Sequence, residues 1–280
     1  MLLEIRSTCV SIRFVELIDG WVCGVLRDIE RPNSRSDSWL NALEGFLLHY
    51  SGSSPNIDVD TLLEFVNLRS GEPTSAITFL EKYGLFDRKD HGSKGRSLPD
   101  SVRLKLKSLA DDRLVPFATR LADFWETRAE LVQLMILAGA VQHRDAVRIS
   151  RTMSQLNLPK ALQWAHDDFN DSGSFAAGRS VLGHYLTSGL KGIRLGLANP
   201  DPSVSLLPFA SAADLRSGLY LALISSLEHS WEECANPGCP KLFEATRSWR
   251  KFCSQRCQSL LKTKRWQAGN PRNPKQGSGS

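Results

Sequence analysis

Over the first 30 residues apolar and polar positions partly alternate, as in "LLEIRSTCVSIRFVELIDGWVCGVLRDIE". β-Branched and aromatic residues dominate there, which predicts strands. The turn-rich stretches 31–38 and 50–58 bracket a predicted helix, "WLNALEGFLLHY". Beyond them the apolar period lengthens to three and four residues. This predicts helices over "TLLEFVNL", with Asp60 as cap, and over "SAITFLEKYGLF", with Thr74 as cap. Residues 87–100, polar and glycine-bearing, read as an exposed loop.

From Ser101 the pattern is helical. "PFATRLADFWETRAELVQLMILAGAV" is long enough for a central helix, with Pro116 in its first turn. "RDAVRISRTMSQLN" predicts another, and "FAAGRSVLGHYLTSGLKGIRLGLA" a further one weakened by glycine. Residues 199–210 break the helices and leave room for a short strand. "SAADLRSGLYLALISSLEHSW" follows as a helix capped near Ser211. The fold class is therefore mainly α with some β near the N-terminus, an α+β body over 1–230.

The chemistry sits after that body. "CANPGCPKLFEATRSWRKFCSQRC" holds four of the six cysteines of this 280-residue chain. Cys9 and Cys23 lie far away in apolar surroundings and read as core residues. Near the N-terminus Glu4 and Arg6 occupy positions where an export signal needs apolar residues, so a cytoplasmic protein is expected. In that compartment clustered thiols are metal ligands before they are disulfides. Cys234, Cys239, Cys253 and Cys257 form two close pairs, and four thiolates favour one structural Zn²⁺ with no open position for catalysis. "ANPG" is turn chemistry between the first pair. Cys253 and Cys257 share a helix face if a helix capped by Ser254 begins there. Leu242, Phe243, Phe252, Leu260 and Leu261 supply a core too small to stand without metal. Knuckle, hairpin and helix in that order describe a treble-clef-like zinc finger over 231–268, followed by a disordered tail over 269–280.

Charge sharpens the picture. The net charge is +5, yet residues 241–275 carry ten cations against one acid, Glu244. That stretch is thus +9 and the remainder −4. Such a split signals a partner, most commonly nucleic acid. Arg247, Arg250, Lys251, Arg256, Lys262, Lys264 and Arg265 are the candidate contacts, with Trp249 and Trp266 able to stack on unpaired bases. Some of these cations offset the −2 charge of a zinc tetrathiolate.

"CANPGCPKLFEATRSWRKFCSQRC", after "LLPFASAADLRSGLYLALISSLEHSWEE", resembles the CGNR-type zinc fingers of bacterial ABATE-domain proteins. The resemblance covers about the last 60 residues and implies a stress-linked, DNA-binding transcription regulator. The chain departs from that pattern in its C-x3-C second pair, one residue shorter than usual, and in "QSL" where the family has "GNR". "DTLLEFVNLRSG" is similar to the "DFVNT" segment of ABATE domains, and no residue role is taken from it.

Other signals are weaker. "GSFAAGRS" fits a phosphate loop except for Arg179 in place of lysine, and no buried strand precedes it. His166, Asp167 and Asp168 point different ways on a helix end. The six histidines are scattered without an HExxH, although His229 lies near enough to Cys234 to replace a thiol ligand. No apolar run reaches membrane length: residues 131–141 are interrupted by Gln133 and suit a buried helix. The expectation is a non-enzymatic DNA-binding regulator whose helical body senses a signal or forms a homodimer. A zinc-stapled protein-interaction module and an RNA-binding protein are the alternatives, with duplex DNA favoured over RNA.

Overall fold

The computed structural model of the chain describes residues 4–7, 12–26, 57–83, 86, 98–109, 115–166, 171–198, 207–212, 214–246 and 250–269. They are mostly helical with a few short strands, an α+β fold. The predicted helix at 39–50, the loop at 87–97, Cys9, Arg247, Trp249 and the tail beyond 269 lie outside the described residues.

β1 (Glu4–Ser7), β2 (Ile12–Ile18) and β3 (Trp21–Leu26) confirm the strands expected near the N-terminus. Asp19 and Gly20 join β2 to β3 with φ of 49° and 78°. An Asp-Gly pair in this left-handed region makes the tight turn whose twist matches a hairpin. β4 (Val115–Arg120) completes the sheet on the far side of β3, in the order β2-β3-β4. Pro116 therefore lies in a strand, opposite Val25, and not in the first turn of a helix. β4 is an edge strand, where a residue without an N–H is tolerated. A second sheet has the order β1-β6-β5, built from β5 (Ile193–Ala198) and β6 (Leu207–Ala212). β6 pairs antiparallel with β5 and parallel with β1. Residues 193–198 were expected to be helical. Their alternation, "IRLGLA", suits a strand and their glycine disfavours a helix.

Helix α1 (Val59–Val66) is capped by Asp58, not Asp60. The Asp58 carboxylate accepts the Thr61 N–H at 2.8 Å. α2 (Pro73–Tyr83) starts on its proline, so Thr74 lies within the helix. α3 (Asp100–Leu109), α4 (Leu121–Gln142) and α5 (Ala146–Gln155) follow. After a 3-10 turn over Lys160–His166 comes α6 (Asp171–Gly189). The phosphate-loop look-alike at 173–180 is part of α6, so it has no loop to cradle an anion. α7 (Leu215–Ser225) is capped by Asp214, three positions after the cap expected near Ser211, which belongs to β6.

α4 is the axis of the body. Leu131, Leu134, Met135, Leu137 and Ala140 are all fully buried, so the helix is enclosed on several sides. Phe65, Phe79, Phe86 and Phe124 cluster beside it, with ring centroids 5.0–6.3 Å apart. Cys23 is buried in β3, the core role expected of it. No helix among the described residues is long and apolar enough to cross a membrane.

Candidate metal centre

β7 (Trp231–Glu233) and β8 (Leu242–Glu244) pair antiparallel, Trp231 opposite Glu244 and Glu233 opposite Leu242. Cys234 follows β7 directly, and its N–H continues the ladder by donating to the Lys241 carbonyl at 3.0 Å. Between the first two cysteines the chain turns on buried Asn236. Its side-chain oxygen accepts the Gly238 N–H at 3.3 Å, and its carbonyl accepts the Cys239 N–H at 2.8 Å. The knuckle thus sits at the tip of the hairpin. The second pair stands at the start of α8 (Gln255–Gly269), where the Ser254 hydroxyl accepts the Cys257 N–H at 3.3 Å, the cap expected of it. One backbone bond, Ala235 N–H to the Lys251 carbonyl at 2.8 Å, ties the two halves together.

These elements bring the four thiol sulfurs within 4.8 Å of one another. Cys239 Sγ lies 3.7 Å from Cys253 Sγ, which lies 3.5 Å from Cys257 Sγ. A metal–sulfur bond of about 2.3 Å puts tetrahedral edges at roughly 3.8 Å. The cluster therefore has the size of a four-coordinate sulfur cage, and it can hold one metal ion. His229 is not part of it: its ring Nδ1 lies 2.7 Å from the Glu244 carboxylate, which accepts, and the ring stacks on Trp231.

Crowding separates the thiols electrostatically. Burial, then the Cys257 thiol, pushes Cys253 up to about 12. Burial also raises Cys239, against a backbone N–H from Lys241 that favours its thiolate. Cys257 is lowered to about 7, first by the Ser254 hydroxyl and then by Cys253. Without metal, a negative charge in the cluster therefore settles on Cys257. Binding a cation must expel the protons of Cys239 and Cys253 at neutral pH, and that of Cys257 as well below about 7. Affinity is expected to fall with acidification by at least about a hundredfold per pH unit, more steeply below pH 7. Chelator competition at pH 6, 7 and 8 measures it, and a flat profile would show that the thiols are not the ligands.

The cations divide by role. Arg250 is half-buried, with its guanidinium 5.2 Å from the Phe243 ring centre. It donates to the carbonyls of Phe252 at 3.4 Å and Cys253 at 3.3 Å, so it braces the second cysteine pair. Lys251, Arg256, Lys262, Lys264 and Arg265 are exposed. The Lys264 ammonium hangs over Gly238 of the knuckle. The small core expected around the metal is different in fact. Leu242 joins the main core, Phe243 is buried, Phe252 and Leu261 are half-buried, and Leu260 is 45% exposed.

What holds this centre to the body was not anticipated from sequence. Trp231 is fully buried in the main core, and its indole N–H donates to the Ser226 carbonyl at 3.1 Å. Gly139 of α4 lets it in: a Cβ there would stand 3.0 Å from the Trp231 carbonyl oxygen. Asn67, one residue past α1, grips β8 like a neighbouring strand. It donates to the Leu242 carbonyl at 3.1 Å and accepts the Leu242 N–H at 3.0 Å. Arg148 of α5 pairs with Glu232 at 2.7 Å, and His143 meets Ser230 at 2.7 Å. Asn67 stands in the "FVN" of "DTLLEFVNLRSG", and no local pattern points to the contacts of Trp231, Gly139, Arg148 or His143.

No protein-family model matches this chain, and no curated protein matches it either, so the functional reading rests on the site.

Proposed function

We propose that the four cysteines hold one structural Zn²⁺, and that the chain is a cytoplasmic transcription regulator engaging duplex DNA with this C-terminal finger. Four soft thiolates in a closed, tetrahedral-sized cage suit zinc and leave no position for substrate. The knuckle and the following helix make the finger treble-clef-like. The reading is carried by one observation: the cage anchors the first turn of α8, a helix with four exposed cations and no acid. Phosphate contact by such a surface is strongly salt-dependent, because bound counterions are released. The chain acts by binding rather than catalysis, and its helical body senses a signal or dimerises.

Titrating the zinc-loaded protein with duplex DNA across a salt series tests the reading. Binding is expected at low salt with a steep negative slope in log K against log[salt]. Lys262→Ala and Arg265→Ala should each weaken binding and flatten that slope by about one. Absence of binding at low salt, or binding indifferent to both substitutions, counts against it.

Trp266 favours a second reading. It is 61% exposed, next to Lys264 and Arg265, and offers a stacking platform for an unpaired base. Tighter binding of single-stranded RNA than of duplex DNA in direct competition selects that alternative. Capture of an acidic protein that survives nuclease treatment selects an interaction module.

A further inference from the structure

The DNA-binding reading above leaves open whether the finger touches phosphates alone or also bases, and α8 has the composition of a base reader. We propose that α8 enters the major groove and reads base edges through Gln255, Gln258, Lys262 and Arg265. At about 100° per residue these four side chains fall within an arc of about 80°. That arc is turned about a quarter of a circle from Cys257 and Leu261, the two half-buried residues that face the knuckle side. All four readers are exposed. Their chemistry matches the groove code: a glutamine amide makes a paired contact with adenine N6 and N7, and arginine or lysine with guanine O6 and N7. From Gln255 to Arg265 the helix rises about 15 Å, which spans roughly four base pairs.

Two further features fit a helix seated in a groove. Gln255 and Gln258 open onto a cleft of about 290 Å³ whose other walls are Arg250, Lys251, Phe252 and Ser254. Exposed Lys251 stands there, beside the first turn of the helix, where a phosphate strand bordering the groove would run. The helix also has no acid anywhere along its length to repel that strand. Charge alone would be served by lysines at any of these positions. Glutamines, which add nothing to phosphate attraction, occupy the two positions closest to the anchored end, where helices inserted into the major groove most often contact bases.

Selection from a pool of short duplexes with a randomised centre, using the full zinc-loaded chain, tests this. Enrichment of a motif of about three to five base pairs containing both adenine and guanine is expected. Gln258→Ala and Gln255→Ala should each lower affinity for the selected duplex roughly 5- to 100-fold. Affinity for an alternating inosine–cytosine duplex, the salt slope and the zinc content should all stay as in the parent protein. Duplex binding without enrichment overturns the base-reading inference and leaves the DNA-binding reading standing. A motif whose preference survives both glutamine substitutions overturns it in the same way. No duplex binding at low salt overturns both.

Discussion

Cys253→Ser is expected to remove stoichiometric zinc and to unravel α8 while leaving the body folded. Only Cys257 and Leu261 of that helix are even half-buried among its side chains of described burial. A free helix of about this length is marginal in water, since its nucleus is costly and packing normally supplies the stability. Its order therefore depends on the cage at its first turn and on the Ser254 cap. Metal binding contributes about 10–16 kcal/mol in small zinc modules at neutral pH, far more than a cap's roughly 1 kcal/mol. Amides of 255–269 should exchange freely in the variant, while those of 131–140, deep in α4, keep their protection. Hydrogen-exchange mass spectrometry with parallel metal analysis measures both. Full protection of α8 in a metal-free variant would remove the structural role assigned to the ion.

Trp231→Ala should be the most damaging single change outside the thiols, at about 3–5 kcal/mol. It empties the site of a fully buried indole and removes one of two donors from the Ser226 carbonyl, which keeps the His229 N–H at 3.0 Å. Against a total stability of about 5–15 kcal/mol this is a large fraction. Zinc affinity should drop too, because Cys234 lies three residues on and its ladder bond to Lys241 depends on where β7 rests. Asn67→Ala should act in the same direction with a smaller effect. It unpairs both Leu242 backbone groups, each worth about 1–3 kcal/mol when buried and less at this half-buried edge. Urea denaturation followed by chelator titration separates the two readouts. Parent-like body stability in Trp231→Ala would mean that the metal centre rides on the body instead of being built into it.

The two substitutions also mark how far local reasoning reaches. Cys234, Cys239, Cys253 and Cys257 announced their cluster by spacing, and Ser254 announced the helix that follows. Turn residues and caps act over three or four positions, so their consequences are visible in a short stretch of sequence. The same holds for buried α4, whose apolar run marks it wherever it packs. Local signals also misled: Pro116 suits a helix start and an edge strand equally, and only pairing with Val25 decided between them. Asp58 and Asp60 are both competent caps, and the choice fell to the one whose carboxylate meets the Thr61 N–H.

By itself, then, the sequence determined the thiol cluster, the charge split and the helical character of the body, because each follows from residue type and near-neighbour spacing. Tertiary structure alone decided that Asn67 grips Leu242 across 175 positions, that Gly139 admits Trp231, and that Arg250 braces Cys253 instead of facing solvent. Such contacts depend on which surfaces meet after the chain has collapsed, and no local period or propensity encodes that meeting.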